Sequence, residues 1–371
     1  MAVKTFDEVV LFARTGLNPR TNFKLGNGTN KYITIKNIHN NELIIDENTD
    51  VVDDDAIELI HKRSQIKKGD ILFCSIGRMG DMFIIPEEPV GWDINESVFA
   101  FTVNTDIVRQ KYFYYVFKNH DTIEYLSKNS SGSTFKSIKM NQLKKMIFDL
   151  PTLNEQDRIV DILDRLSQII KNREAELAKL DELIKARFVE MFGEGLKDDG
   201  KFEVRFISEI GKVVSGATPK TAVEEYWDGA NLWITPAELS NESFILYDSE
   251  RKITDRGVKS CAVNLLPIGT VILSSRAPIG KVAIAGTEMY CNQGFKNIIP
   301  NDMINSIYLY ELLKMETAYL NSLGRGATFK EISKQIVENI RVKVPPIELQ
   351  KQFAEFVKQV DKSKVVALKA A

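Results

Sequence analysis

The sequence repeats itself after about 200 residues, and this repeat constrains the fold more than any other feature. Segments recur in one order at nearly one offset: Gly69–Ser75 with Gly269–Ser275, Gly132–Ile138 with Gly326–Ile332, and Leu150–Gln156 with Val344–Gln350. Gly16 and Pro19 likewise meet Gly216 and Pro219. A single match is uninformative, because Gly and Pro punctuate many turns. Several ordered matches predict a duplicated scaffold whose copies expose different surfaces.

The composition is that of an ordinary globular protein. A length of 371 residues predicts two or three domains, and 27% charged with 44% hydrophobic residues argues against disorder. The net charge of −2 shows no nucleic-acid footprint over the whole chain, although a local basic face can hide in a balanced total. We see no signal peptide, no apolar stretch long enough to span a membrane and no disulfide framework, so we expect a cytoplasmic protein.

Each copy is predicted to be an α+β globular domain followed by a helix. Short β-like runs such as KYITI, DILFCSI, LWIT and TVILSS are bounded by Gly, Pro, Asn and Asp. We predict globular domains over 1–150 and 194–343, a first helix over 151–193, and a short second helix over 344–371.

The stretch from Asn154 to Phe192 contains neither Gly nor Pro and predicts one helix of roughly 58 Å. Asn154 is its expected N-cap, and Gly193 is its expected C-terminal stop. Apolar residues follow heptad spacing on both predicted helices and form the predicted coiled-coil interface: Leu163, Leu166, Ile170, Leu177, Leu180 and Ile184 on the first, and Phe353, Val357 and Val360 on the second.

We expect the two helices to pair antiparallel, because a two-fold pseudo-repeat places equivalent elements in opposite directions. The alternative is that each helix packs on its own globular domain. The second helix is shorter, so part of the first is expected to stay uncovered and to offer a docking surface to another protein.

Motifs of the common catalytic sites are missing. The chain has no phosphate-binding GxxxxGK[ST] loop, no GxGxxG, no GxSxG and no HExxH. The run Asp53–Asp55 is compatible with a metal site, but its partner Thr254–Arg256 loses the carboxylates and favours a solvated turn. His39 and His61 show no acid–base constellation. We therefore predict no catalytic residues and no metal.

A duplicated chain with divergent surfaces suits duplex DNA, whose backbone repeats while its base edges vary. The candidate DNA-binding residues lie in polar loops with basic side chains: Arg20, Arg78, Ser133, Thr134 and Lys136 in the first copy, and Thr218, Lys220, Arg276, Arg325, Thr328 and Lys330 in the second. Simple Gly-rich turns and surface ion pairs remain the alternatives for these loops.

The sequence strongly resembles the specificity subunits of Type I restriction-modification systems over nearly its whole length. The resemblance rests on SGATPKTAVEEYWDGANLWIT (215–235), RKITDRGV (251–258), LPIGTVILSSRAPIGKVAIAG (266–286), NQGFKNIIP (292–300) and the helix LPTLNEQDRIVDILDRL followed by LDELIKARFVEMFG. The first half is more divergent. The second helix lacks the KLDEL…ARF continuation of the first.

This resemblance implies a non-catalytic DNA reader in which each globular domain is a target-recognition domain for one half of a bipartite, asymmetric site. The helices would act as a spacer of fixed length. Two modification subunits would carry S-adenosylmethionine and methylate adenine, and restriction subunits would use ATP and Mg²⁺. The chain itself would need no cofactor. Two other hypotheses are a pseudo-two-fold hydrolase and a protein-interaction scaffold without a DNA role.

Overall fold

A computed structural model describes residues 2–39, 41–132, 136–240, 243–325 and 330–369. The chain divides into two compact units, Met1–Ile169 and Ile170–Ala371, and the boundary falls within one long helix. In the described part of the chain, no helix is both long and apolar enough to cross a membrane.

Unit 1 is a mixed α/β unit. Its strands are β1 (Ala2–Thr5), β2 (Val10–Thr15), β3 (Asn30–Ile33), β4 (Ile38–His39), β5 (Glu42–Leu43), β6 (Val51–Val52), β7 (Ile71–Cys74), β8 (Met82–Ile84), β9 (Trp92–Ile94), β10 (Val98–Val103) and β11 (Ile147–Leu150). Its helices are α1 (Phe6–Val9), α2 (Asp54–Ser64), α3 (Gln110–Val116), α4 (His120–Asn129), α5 (Met140–Leu143) and the first part of α6 (Leu153–Phe192).

Unit 2 follows the same plan. Its strands are β12 (Glu203–Phe206), β13 (Gly211–Ser215), β14 (Trp227–Ile234), β15 (Ile245–Leu246), β16 (Arg251–Ile253), β17 (Val271–Leu273), β18 (Val282–Ala285), β19 (Tyr290–Cys291), β20 (Lys296–Pro300) and β21 (Arg341–Val344). Its helices are the rest of α6, α7 (Ile207–Ile210), α8 (Asp255–Ser260), α9 (Ser306–Met315), α10 (Thr317–Ser322), α11 (Lys334–Glu338) and α12 (Ile347–Lys369).

The two units share most of their sheet topology, as the repeat predicts. The main sheet has the order β2-β10-β7-β8 in unit 1 and β13-β20-β17-β18-β15 in unit 2. A second sheet has the order β6-β3-β9 in unit 1 and β16-β14-β19 in unit 2, and β1 pairs with β11 as β12 pairs with β21. The hairpin β4-β5 belongs to unit 1, and β15 extends the main sheet of unit 2. The predicted α+β class is confirmed.

The repeated glycines mark a close approach of backbones. A Cβ on Gly16 would lie 1.6 Å from the carbonyl oxygen of Ile94, and one on Gly216 would lie 2.1 Å from that of Asn292. Both distances are far below van der Waals contact, so neither position accepts a side chain without displacing the neighbouring backbone. The turn after the first long strand of each unit therefore lies directly against the end of β9 or β19.

A buried glutamine fixes the start of α6. The side chain of Gln156 is fully buried. Its Oε1 accepts a hydrogen bond from the Arg109 backbone N–H at 2.8 Å, and its Nε2 donates to the carbonyl oxygens of Ile107 and Pro151, both at 2.9 Å. Three backbone groups that would otherwise lack partners are thereby satisfied. The helix is thus tied to the connection between β10 and α3.

Gln350 repeats this arrangement at the start of α12. Its Oε1 accepts from the Asn305 backbone N–H at 2.8 Å, and its Nε2 donates to the carbonyl oxygens of Met303 at 3.1 Å and Pro345 at 2.7 Å. The sequence comparison aligned the two glutamines without assigning them a role. Their role is to anchor a long helix to the preceding connection in each unit.

The capping residues of α6 differ in part from expectation. The predicted N-cap Asn154 is wrong, because the helix begins at Leu153 and Thr152 caps it. The backbone N–H and hydroxyl of Thr152 donate to Glu155 at 2.9 and 2.8 Å, and the Glu155 N–H points back to the hydroxyl at 3.4 Å. This reciprocal Thr-x-x-Glu pattern is a capping box. At the other end, Gly193 has a φ of +78° and terminates the helix as expected.

A buried lysine completes the C-terminal cap of α6. Lys343 on β21 is fully buried, and its Nζ donates to the carbonyl oxygen of Phe192 at 2.6 Å. Asp199 lies 3.6 Å from the same nitrogen. A cation at this end of a helix interacts favourably with the helix dipole and with carbonyls that lack intrahelical partners.

Within unit 2, α6 and α12 pair antiparallel, as predicted. The ring of Phe353, early in α12, lies 5.4 Å from that of Phe188, late in α6. Further along α12, Lys364 Nζ donates to Asp181 Oδ1 at 2.6 Å, and Lys362 lines a groove with Arg173. Contacts therefore move towards the N-terminus of α6 as they move towards the C-terminus of α12.

The predicted coiled-coil residues fall into two groups. Ile184, Phe353, Val357 and Val360 are buried in one apolar cluster with half-buried Leu180 against it, and Leu177 lines the same region. Leu163 is half-buried. Leu166 and Ile170 are 50% and 53% exposed, so their placement in a helix–helix interface is wrong. The physical reason is length, because α12 has 23 residues and α6 has 40.

The first part of α6 contacts its own unit. Arg109, the residue before α3, pairs with Asp157 through two hydrogen bonds, at 2.8 and 3.1 Å. The Tyr115 hydroxyl donates to Asp164 at 2.8 Å. The alternative of packing on its own globular domain thus describes the start of α6, and antiparallel pairing describes its end.

An acidic residue is buried beside the antiparallel pair. Glu311 on α9 is 5% exposed and lines a groove together with Asp181, Lys314, Asp361 and Lys364. Desolvation raises the pKa of Glu311 to about 7; Lys314 and Lys364 oppose this rise, and Asp181 and Asp361 add to it. The carboxyl group is therefore largely protonated in the folded unit at slightly acidic pH.

Replacing the buried glutamine of α12 tests its anchoring role. Gln350→Ala removes three hydrogen bonds and leaves backbone groups unpaired, so we expect the free energy of unfolding of unit 2 to fall by about 2–4 kcal/mol. Chemical denaturation of the full chain measures this change. Gln352→Ala, at an exposed position two residues on, is the control and should change stability by less than about 0.5 kcal/mol. Equal effects of the two variants would contradict the anchoring role.

The buried acid predicts a specific pH dependence of stability. The Glu311 pKa is higher in the folded state (about 7) than in the unfolded state (4.5), so folding is favoured below pH 4.5 and this contribution is lost as pH rises towards 7. Glu311→Gln should remove that loss and raise the free energy of unfolding at pH 8 by about 3 kcal/mol relative to wild type. Denaturation between pH 5 and pH 8 measures it. Exposed Glu355→Gln is the control, and an unchanged pH slope in Glu311→Gln would refute the prediction.

Candidate nucleic-acid interface

Backbone hydrogen bonds hold three loops of unit 1 together at one end of its sheets. The Ser75 N–H donates to the Ser97 carbonyl at 3.0 Å, and the Ile138 N–H donates to the Ser75 carbonyl at 2.9 Å. The Gly16 N–H donates to the Asn95 carbonyl at 3.2 Å. The loop after β7, the turn before β10 and the segment before α5 are thus neighbours, and the turn after β2 adjoins them.

Unit 2 repeats the two hydrogen bonds of the serine and attaches the turn after β13 through a different pair of residues. The Ser275 N–H donates to the Gly294 carbonyl at 2.8 Å, the Ile332 N–H to the Ser275 carbonyl at 2.9 Å and the Ala217 N–H to the Cys291 carbonyl at 3.0 Å. We call these clusters the loop end of unit 1 and the loop end of unit 2. Because the contacts are between main-chain atoms, they fix the loops without fixing the side chains.

In unit 1, the loop end brings two predicted residues together. Arg78 is exposed, and its guanidinium reaches the Lys36 carbonyl at 3.5 Å. The Gly77 N–H donates to the Lys136 carbonyl at 3.2 Å, so the loops that carry Arg78 and Lys136 are adjacent. The exposed Lys136 donates to the Ser127 hydroxyl at 3.1 Å.

The other predicted residues of unit 1 are Arg20, Ser133 and Thr134. Arg20 is exposed in the turn at Pro19, next to the glycine that lies against β9. Ser133 and Thr134 lie outside the described residues, as does Thr328 in unit 2.

In unit 2, the loop end brings Arg276 next to the segment that carries Arg325 and Lys330. Arg325 and Glu331 exchange two backbone hydrogen bonds, at 3.1 and 3.0 Å, and Arg276 forms a β-bridge with Glu331. Arg276, Arg325 and Lys330 are all exposed. The spacing of these residues along the chain did not reveal that the carboxylate of Glu331 lies among them.

The turn after β13 carries the two remaining predicted residues. Thr218 donates to Gln293, which precedes Gly294 of the loop end. Lys220 is exposed, and its carbonyl accepts a hydrogen bond from Trp227 at 3.4 Å. This turn is therefore attached to the loop end through Gln293.

Arg78 and Arg276 do not occupy equivalent positions in the two units. The residue that forms the β-bridge with Ser137 in unit 1 is Ile76, and the residue that forms it with Glu331 in unit 2 is Arg276. Arg276 therefore occupies the place of Ile76, two positions before the place of Arg78. Each arginine lies in the loop after an equivalent strand, but at a different position of that loop.

A charged network that sequence reasoning missed surrounds Arg276. Its Nε donates to Glu331 Oε2 at 3.1 Å, and Lys296 Nζ donates to Glu331 Oε1 at 3.2 Å. The Lys296 side chain is 9% exposed and also donates to the Ser275 hydroxyl at 3.3 Å. Partial burial favours the neutral acid, but the hydrogen bonds and charges of Lys296 and Arg276 lower the pKa of Glu331 below its usual value. The carboxylate is charged at neutral pH.

The aspartate run and His61 have structural roles. Asp53 caps α2 by accepting a hydrogen bond from the Ala56 N–H at 2.9 Å, so the expected solvated turn is a helix N-terminus. His61 was expected to lack an acid–base partner, but its Nδ1 lies 3.0 Å from Oδ2 of the buried Asp93, which is distant in sequence. Desolvation raises the pKa of Asp93. Among the described residues, no group of three or more His, Cys, Asp or Glu side chains is placed to bind a metal ion.

Comparison with known proteins identifies the family. The sequence model of the Type I restriction modification DNA specificity domain matches residues 1–181 and 199–370. The chain is 42% identical over 163 residues to the Type I restriction enzyme MjaIX specificity subunit of Methanocaldococcus jannaschii, which is 43% of this chain and 38% of that protein. It is 25% identical over 347 residues to the putative MjaX specificity subunit of the same organism, 86% of this chain and 79% of that one.

Solved structures share the fold. The Type I restriction-modification system S subunit from M. genitalium has a TM-score of 0.58 at 16% identity, over 100% of this chain and 91% of that one. A chain from a structure of the type I R-M system, which concerns complex assembly and conformational transition, has a TM-score of 0.55 at 16% identity, over 100% and 92%. With two family matches covering both repeated halves, this chain belongs to the family of Type I restriction-modification DNA specificity subunits.

Proposed function

We propose that the chain acts in the cytoplasm as the non-catalytic reader of a bipartite, asymmetric DNA site, with each unit reading one half. The observation that carries this proposal is the loop end, in which Ser75 and Ser275 make the same two main-chain hydrogen bonds while the surrounding side chains differ. Main-chain contacts hold the surface in place, and the side chains are free to set the sequence that is read.

The chemistry of the loop ends suits DNA. Exposed Lys136 and Lys330 occupy equivalent places and can neutralise phosphate charge, which does not depend on sequence. Arg78 and Arg276 occupy different places and can reach base edges, which differ between the two half-sites. A shared phosphate contact combined with a divergent base contact is what a duplicated reader of an asymmetric site requires.

Partners would supply the chemistry. We propose two modification subunits that bind S-adenosylmethionine and methylate adenine, and restriction subunits that use ATP and Mg²⁺, with this chain as their scaffold and without a cofactor of its own. The long helices would set the spacing between the half-sites. The net charge of −2 favours weak, salt-sensitive DNA binding by the chain alone and tight binding in the complex.

A domain exchange tests whether each unit reads one half of the DNA site. Residues 1–150 are replaced by the corresponding domain of another specificity subunit, and the chain is produced with its modification partner. Mapping of methylated adenines in cellular DNA should show one half of the recognised sequence changed and the other half retained. An unchanged methylated sequence would refute direct recognition by this domain. Nuclease turnover by the pure chain alone would instead favour the hydrolase hypothesis, and methyltransferase turnover by it would refute a non-catalytic role.

Lysine variants test the phosphate contacts. Lys136→Ala and Lys330→Ala should weaken binding of the complex to specific and non-specific duplexes by a similar factor, because phosphate contacts carry no sequence information. Each should reduce the slope of log K against log salt by about 1. Fluorescence titrations between 50 and 200 mM salt measure both effects. Lys351→Ala, at an exposed position of α12, is the control, and equal slopes in all variants would contradict these contacts.

A further inference from the structure

The guanidinium of Arg276 is held on one side only. Its Nε is hydrogen-bonded to Glu331, and the structure gives its two terminal nitrogens no hydrogen bond to another described residue. The side chain is 48% exposed at the loop end of unit 2. A guanidinium fixed through Nε presents its two terminal N–H groups as a rigid, planar pair of donors.

The residues that hold this arginine form a chain of contacts that runs into the core. Lys296, at the start of β20, donates to the other oxygen of Glu331 and to Ser275, the neighbour of Arg276. Because the Lys296 ammonium is buried and has two hydrogen-bond partners, it limits the movement of the carboxylate, and the carboxylate limits the movement of the guanidinium.

Unit 1 has uncharged residues at all three places. The β-bridges match Arg276 with Ile76 and Glu331 with Ser137. Strand register matches Lys296 with Phe99, since Phe101 pairs with Ile71 as Ile298 pairs with Val271. The same scaffold thus folds with Ile, Ser and Phe in one unit and with Arg, Glu and Lys in the other.

Stability does not explain the charged set. Burying the lysine and partly burying the carboxylate cost desolvation energy, and an apolar pair of similar volume is often at least as stable. Phe99 is 7% exposed in the core of unit 1, which shows that an aromatic residue fits the equivalent place. The charged set ends in the exposed N–H donors of Arg276. Its role is therefore to support the contacts that these donors make.

We propose that Lys296 and Glu331 are positioning residues that orient Arg276 to read a guanine in the half-site of unit 2. The two terminal N–H groups of Arg276 donate to guanine O6 and N7 in the major groove, which is the paired-acceptor pattern that a planar guanidinium matches. Unit 1, with Ile76 at this place, has no equivalent reader there. The inference rests on the proposed function and adds the base and the residues that select it.

The test uses the complex of the full chain with its modification subunits. Methylated adenines are mapped in cellular DNA, and binding is measured on duplexes that carry each of the four bases at every position of the unit 2 half-site. Arg276→Lys, which keeps the charge, should lower discrimination for guanine at one position by about 10- to 100-fold. Glu331→Gln, which keeps the shape, should lower discrimination at that same position by about 10-fold.

The controls separate positioning from folding and from charge. Arg341→Lys, at an exposed position of β21 outside the loop end, should leave the base preference at both half-sites unchanged. The triple variant Arg276→Ile, Glu331→Ser and Lys296→Phe installs the residues of unit 1, so it should remain folded in thermal unfolding and lose the guanine preference. A structural role alone would lower stability and leave base preference unchanged.

The outcomes distinguish this inference from the proposed function. If the wild-type complex methylates no defined sequence, the proposed function fails. If it methylates a defined sequence that Arg276→Lys leaves intact, only the guanine assignment fails. If Glu331→Gln strengthens DNA binding and keeps the guanine preference, Glu331 screens the arginine and its positioning role is wrong.

Discussion

A buried glutamine at the start of each long helix is the contact on which the rest of the structure depends. Gln156 and Gln350 each satisfy one backbone N–H and two carbonyl groups, and each ties a helix to the connection that follows a central strand. A helix tied at its first turn has a fixed direction relative to its own sheet.

Main-chain hydrogen bonds also hold the loop ends in place. Ser75 and Ser275 each donate to one neighbouring segment and accept from another, so the loops keep their places whichever side chains they carry. A surface held in this way tolerates substitution at exposed positions without loss of stability, since surface changes are usually nearly neutral. Recognition can therefore diverge between the units while the scaffold stays constant.

The sequence predicted most of the features that depend on local pattern and missed the contacts between distant segments. The duplication, the antiparallel pairing and the stop at Gly193 followed from spacing, turn residues and heptads. Asn154 was predicted as the N-cap from its residue type, whereas the Thr-x-x-Glu capping box places the N-cap at Thr152. The repeat aligns Ser75 with Ser275 and therefore Ile76 with Arg276, as the β-bridges confirm, but it does not reveal the contact of Arg276 with Glu331. Which residues lie beside Arg276 depends on strands far apart in the chain.

At two positions, a buried lysine of unit 2 replaces a residue of a different kind in unit 1. Lys343 takes the place of exposed Asp149, and the reason lies within the chain, because its ammonium caps the C-terminus of α6. Lys296 takes the place of Phe99, but its contacts lead through Glu331 to an exposed arginine. A buried charge persists when its partner offsets the cost of desolvation. For Lys343 that partner is the C-terminal end of α6. For the Lys296 network, the last proposed partner is a guanine of the DNA.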